Sequence, residues 1–134
     1  MIAKLRLRVL LCAAVLLGAS FTTASAQDRL RDVIVVNDCD QHSWSFFVHY
    51  SRGKNQWATA SWYVLGPGEK SHLNHNGRRV RHWDGSEIYV YAENRRRNRA
   101  ISGDVGKNLG DRHYKMKPVP RHLRGDDVFI VLNC

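Results

Sequence analysis

The stretch "SWSFFVHYS", Ser43 to Ser51, alternates. Trp44, Phe46, Val48 and Tyr50 share one parity, and Ser45, Phe47, His49 and Ser51 share the other. Side chains of period two belong to a strand with one face buried, so this segment is read as β rather than helix. The same reading extends along the chain. "WATASWYVL" follows the turn-like "RGKN" and sets Ala58, Ala60, Trp62 and Val64 against Trp57, Thr59, Ser61, Tyr63 and Leu65; "EIYVYAE" sets Ile88, Val90 and Ala92 against Tyr89, Tyr91 and Glu93. "DVFIVLN" sets Val128, Ile130 and Leu132 against Phe129 and Val131. Turn chemistry punctuates these runs. Gly66-Pro67-Gly68 stops the second, because proline lacks a donor and glycine tolerates positive φ, and "NHNG" follows a short strand around Lys70 to Leu73. A weaker strand holds Tyr114 and Met116, while "RDVIV" and "HLRGD" could each carry a helical turn. Short strands between frequent turns predict an all-β domain, an antiparallel sandwich or small barrel of about six to eight strands.

The N-terminus carries a different signal. Lys4, Arg6 and Arg8 precede an apolar run from Val9 to Ala19, and Ala24-Ser25-Ala26 forms a small-x-small cleavage site. This pattern is a secretory signal peptide over residues 1–26. The run is shorter than the roughly 20 residues that span a bilayer, and Cys12 lacks the small preceding residue of a lipidated cysteine. The expected mature domain, residues 27–134, is a single unit able to bury one modest core. Loss of three of the 21 basic residues and none of the 12 acidic ones leaves it a formal charge of +6. The expected location is periplasmic or secreted.

Export leaves Cys39 and Cys134 as the remaining thiols. In an oxidising compartment they are expected to pair and tie the first strand to the last. Two free thiols or an intermolecular bridge are the alternatives.

The early "NDC", the run "WATASWYVLGPGE", the tyrosine strand "IYVYAEN" and a terminal strand together resemble the bacterial family known as domain of unknown function number 1036. The resemblance covers the mature region and is most specific from Trp57 to Gly68, with Tyr89 to Ala92 in support. Ser61 stands where the family often has Gly, Tyr63 where it often has Trp, and Lys70 near where some members have a further cysteine. The resemblance implies a small extracytoplasmic β domain and brings no catalytic residues with it.

Nothing in the sequence marks an enzyme: no nucleophile elbow is present, and Asp126 and Asp127, as strand neighbours, point to opposite faces. His72 and His75, with His82 and Asp84 close by, raise a metal question, but a spacing of three in a strand-to-turn segment fixes no common face, and no metal or other cofactor is expected. A hydrolase using His82 and a carboxylate is the least favoured function.

Charge and aromatics say more. Arg78, Arg79 and Arg81 on one side, and Arg95, Arg96, Arg97 and Arg99 on the other, bracket the tyrosine strand. Guanidiniums grip carboxylates and phosphates in bidentate fashion. With Trp44, Phe46, Trp62, Val90 and Ile130 assigned to the core, Phe47, Trp57, Tyr63, Tyr89 and Tyr91 take the opposite parity. The expected ligand surface is therefore Trp57, Tyr63, Tyr89 and Tyr91 beside the seven arginines, facing an anionic envelope polysaccharide or an acidic protein partner. Export disfavours nucleic acid as a physiological partner. The competing expectation is a structural module, its second aromatic face covered by loops from Arg95 to Asp111 and Met116 to Arg124, its arginines serving solubility.

Overall fold

The structure is a computed structural model that describes residues 29–120 and 122–134; the segment 1–26, read above as a signal peptide, lies outside the described residues. The chain folds as two packed β-sheets, and no helix among the described residues is long and apolar enough to cross a membrane. Among the described residues thirteen strand segments are formed where alternation read six to eight, because ladders of two or three residues are too short to show a period.

One sheet contains β1 (Leu30–Asn37), β4 (Lys70–His72), β12 (His122–Arg124) and β13 (Asp127–Leu132) in the order β12-β13-β1-β4, with β7 (Arg81–Trp83) pairing the start of β1. "RDVIV", read as able to carry a helical turn, lies within β1, and of "HLRGD" His122, Leu123 and Arg124 form β12 while Gly125 and Asp126 make its turn into β13. The second sheet has the order β10-β11-β8-β2-β3, from β2 (Trp44–Gly53), β3 (Gln56–Leu65), β8 (Tyr89–Asn94), β10 (Val105–Leu109) and β11 (Arg112–Pro118), and β9 (Arg99–Ile101) pairs the far end of β8. A small hairpin, β5 (Asn74–His75) and β6 (Arg78–Arg79), turns through Asn76 and Gly77, both at positive φ (51° and 73°) as a tight hairpin turn requires.

Among the described residues pairing is antiparallel with one exception: β1 and β13 run parallel, Asp32 opposite Asp127 through Asn37 opposite Leu132. That exception places the cysteines. Each lies two residues beyond the last paired position, and because the strands run the same way both arrive at the same end. The Cys39–Cys134 disulfide closes there across a Cα–Cα distance of 5.4 Å. An antiparallel pair would have carried the two thiols to opposite ends.

The principal core lies between the sheets. Trp44, Phe46, Val48, Tyr50, Ala60 and Leu65 meet Val33, Val35, Ile130 and Leu132, with Ile88, Val90 and Ala92 from the β8 side. The Gly66-Pro67-Gly68 turn closes with the Glu69 N–H donating to the Gly66 carbonyl (3.2 Å), and Gly68 takes φ 67°, the positive value a type II turn needs at that position. Asn37, fully buried, straps that turn to β1: its amide nitrogen donates to the carbonyls of His42 (2.6 Å) and Gly66 (2.7 Å), and its oxygen accepts from the Cys39 N–H (3.1 Å). The "NDC" and "GPGE" signatures are thus one structural unit around the disulfide.

Candidate binding surface

The register between β2 and β3 decides which aromatics reach solvent. Phe46 faces Tyr63 and Val48 faces Ala60, so Ser61 and Trp62 together stand opposite Phe47 alone. This two-against-one mismatch is a β-bulge, and it inverts the parity of everything after it. Ala58 and Ala60 point inward as alternation predicts, but beyond the bulge Tyr63 and Leu65 take the core side while Trp62 and Val64 turn outward, 39% and 69% exposed. The assignment of Trp62 to the core, and of Val64 with it on the same parity, is therefore corrected, as is the placement of Tyr63 on the outer face. Tyr63 packs beside Phe46, ring centroids 5.6 Å apart, and its hydroxyl donates to the Asn74 carbonyl and meets His75 Nδ1.

The outer face of β2, β3 and β8 is consequently tiered. At one level His49 stacks on Trp57 (5.0 Å, interplanar 2°), Tyr89 stands 5.9 Å from Trp57, and Lys107 Nζ lies 5.3 Å from both the Trp57 and Tyr89 rings. At the next level Phe47 is ringed by Trp62, Tyr91 and Tyr114 at 4.8–5.5 Å. In a flat sheet β10 would stand four strand spacings, roughly 19 Å, from β3. Lys107 on β10 nonetheless reaches Trp57 on β3, so the β10–β11 hairpin curls back over this face. Phe47, essentially inaccessible, falls outside the principal core and lies beneath that cover, while Met116, on β11 of the cover itself, is equally inaccessible and also outside that core. The cover is partial. Trp57 stays 39% exposed and Tyr89 and Tyr91 half-buried, so the face is neither sealed by loops nor bare.

Burial and the Glu93 carboxylate raise the Tyr91 pKa, and the hydrogen bond to Glu87 is the main cause of the rise at Tyr89. Both phenols stay protonated as donors. His49 is pushed the other way, first by burial and then by the Lys107 charge. The imidazole is held neutral, its Nδ1 2.9 Å from Thr59 Oγ1. A lowered folded pKa means that the unfolded chain takes up its proton first. The His49 contribution should be complete above about pH 6.5 and be lost as pH falls through the lowered folded value. Thermal melts from pH 7.5 down to 4.5 should show His49→Phe with a flatter pH dependence than the parent; parallel curves would remove this assignment.

Beyond the second tier, Tyr91 donates to Glu93 (3.3 Å), which also accepts from Arg95 Nε (2.6 Å). Arg95–Arg97 form a single 3-10 turn capped by Asn94, whose oxygen accepts from the Arg97 N–H (3.2 Å) and whose amide nitrogen donates to the Ser43 carbonyl (3.0 Å). The turn holds the arginines on one wall of an open groove of about 550 Å³ whose other residues include Ser43, Ser45, Val64 and Glu93. Arg99 points elsewhere and donates to the Cys134 carbonyl (3.2 Å).

Arg78, Arg79 and Arg81 do not join this groove. They line another with Tyr50 and Arg52, at the opposite end of β2 from Ser43 and Ser45. The single positive patch expected from seven arginines is in fact two groups of three, with Arg99 in neither, because β2 puts about five residues, roughly 17 Å, between the groups. His82 is fully buried: the Ser51 N–H donates to its Nδ1 (3.3 Å) and its Nε2 lies 3.0 Å from the Ser86 carbonyl. Its ring is built into the fold. Trp62, Val64, Tyr114 and Lys107 were missed as surface residues by parity alone; two adjacent aromatics after Ala-x-Ala, with large side chains on both parities, are the trace a bulge leaves.

No protein-family model matches this chain, and no curated protein matches it.

Proposed function

We propose that this is a non-enzymatic exported β domain whose outer face binds an anionic polymer of the cell envelope. The observation carrying the reading is the continuity from the exposed Trp62 and Val64, across Tyr91 and Glu93, to the Arg95–Arg97 wall of one groove. A flat ring, fixed by neighbours, suits the apolar face of a sugar, and guanidiniums suit its acidic groups. Phe47, Tyr91 and Tyr114 all meet Trp62 near-perpendicularly, so little side-chain freedom remains to be lost on binding. Arg95 is engaged by Glu93, while Arg96 and Arg97 form no ion pair among the described residues and are the cations offered to a ligand. The Cys39–Cys134 disulfide supports an oxidising compartment, periplasmic or secreted. The resemblance of the Trp57 to Gly68 run to the family named above supports the same location.

Retention of the disulfide-bonded protein on an immobilised acidic polysaccharide tests this. Binding should weaken with salt, and Trp62→Ala and the combined Arg96→Gln/Arg97→Gln change should each reduce affinity by about tenfold. Retention indifferent to salt and to both changes would favour the reading as a purely structural or protein-interaction module, with an acidic protein the partner to try next.

A further inference from the structure

The second basic groove, some 540 Å³ in volume, has a distinct composition. Arg52, Arg78, Arg79 and Arg81 line it together with Tyr50 and His75, and among the described residues no carboxylate lines it. These arginines come from three separate pieces of chain. Arg52 is the extra residue of a second irregularity in β2, between Ser51 and Gly53, where the β2–β3 register shifts by one. Arg78 and Arg79 follow the Asn76-Gly77 turn of the β5–β6 hairpin, and Arg81 opens β7. Bringing four like charges to one groove costs electrostatic energy, and among the described residues the ion-pair compensation comes from one carboxylate. Asp32, on β1, accepts from Arg79 Nη1 (2.9 Å) and lies 3.4 Å from Arg81 Nε; Arg81 also donates to the Leu30 carbonyl (2.9 Å). One carboxylate thus serves two guanidiniums and fixes their position, while Arg52 and Arg78 form no ion pair among the described residues.

We propose that this groove is a binding site for a phosphate monoester or pyrophosphate group, separate from the aromatic face. Such a group carries close to two charges and three terminal oxygens at neutral pH, enough acceptors for more than one guanidinium fork; a carboxylate satisfies one fork. Asp32 holds Arg79 and Arg81 in place, and Arg52 and Arg78 close on the ligand from the opposite segments. The phosphate can belong to a soluble compound or to a lipid headgroup, and the chemistry at the groove is the same.

The test is titration of the disulfide-bonded protein with sodium pyrophosphate, inorganic phosphate and sodium sulfate, followed by NMR of the arginine Nε–H signals. A parallel arm measures sedimentation with phosphatidylcholine vesicles with and without phosphatidic acid. Saturable shifts confined to this groove are expected, with pyrophosphate about tenfold tighter than sulfate. Arg52→Gln/Arg78→Gln should weaken binding by about tenfold, and Arg96→Gln/Arg97→Gln should leave it unchanged. Binding to free pyrophosphate with no gain from phosphatidic acid identifies a soluble source; capture on phosphatidic acid vesicles far exceeding that of inorganic phosphate identifies a headgroup. Sulfate binding as tightly as pyrophosphate, equal losses from the two double variants, or no saturable shift in either arm would overturn the proposal. Unchanged near-ultraviolet circular dichroism of Arg52→Gln/Arg78→Gln would show that any loss comes from the groove and not from the fold.

Discussion

Replacing Cys134 by serine should lower the unfolding free energy by about 4–5 kcal/mol, the largest single effect expected for this domain. The magnitude follows from the loop. Cys39 and Cys134 are separated by 95 positions, so the bond removes much of the closure entropy of the denatured chain. Cys134 is the better residue to replace because it is exposed, whereas Cys39 is buried and its sulfur accepts from Trp44 Nε1 (3.3 Å). Urea denaturation of Cys134→Ser and of the reduced parent should give the same lowered midpoint. A loss below about 1 kcal/mol would mean that the parallel β1–β13 ladder alone already holds the two ends, and that the disulfide records the compartment without stabilising the fold.

Phe47→Ala should cost about 3–5 kcal/mol, the range for deleting a fully buried aromatic side chain. The residue is 1% exposed although it lies on the face turned away from the principal core. Its ring touches Trp62, Tyr91 and Tyr114 from three other strands, so its removal takes away what the β10–β11 hairpin rests on. The loss should therefore have a local signature. Amides of Val105–Leu109 should exchange faster by a larger factor than those of Val33–Val36, which belong to the other sheet. A uniform acceleration would mean that the hairpin does not depend on this contact, and a cost below about 1 kcal/mol would mean that the second layer is not packed.

These two residues also mark what alternation can and cannot convey. Period two located β2 and its inward set, Trp44 to Tyr50, because nothing interrupts that run before Ser51. The cysteine pairing was legible too, since the sequence has three cysteines, one in the stretch read as a signal peptide, and the other two follow apolar strands. The parallel alignment that brings them together was not, because pairing direction leaves no trace in the spacing of one strand. Trp62 was misread for a specific reason: a bulge adds one residue, and one residue exchanges the faces of Trp62, Tyr63, Val64 and Leu65 at once. The arginines failed differently. Closeness along the chain brought Arg78–Arg81 and Arg95–Arg97 into one imagined patch, whereas extended strands between them carry the groups to opposite ends of β2.

The central claim is that the outer face is a surface for a ligand, entered at Trp62. The four indole N–H signals report on it separately, since Trp44 is buried in the core, Trp83 lies on β7, and Trp57 and Trp62 stand on the two aromatic tiers. Titration with a soluble acidic oligosaccharide, followed by the indole resonances, should move Trp62 most, Trp57 with it, and leave Trp44 and Trp83 in place. Stationary Trp57 and Trp62 signals at saturating ligand, or movement confined to Trp83, would contradict the account.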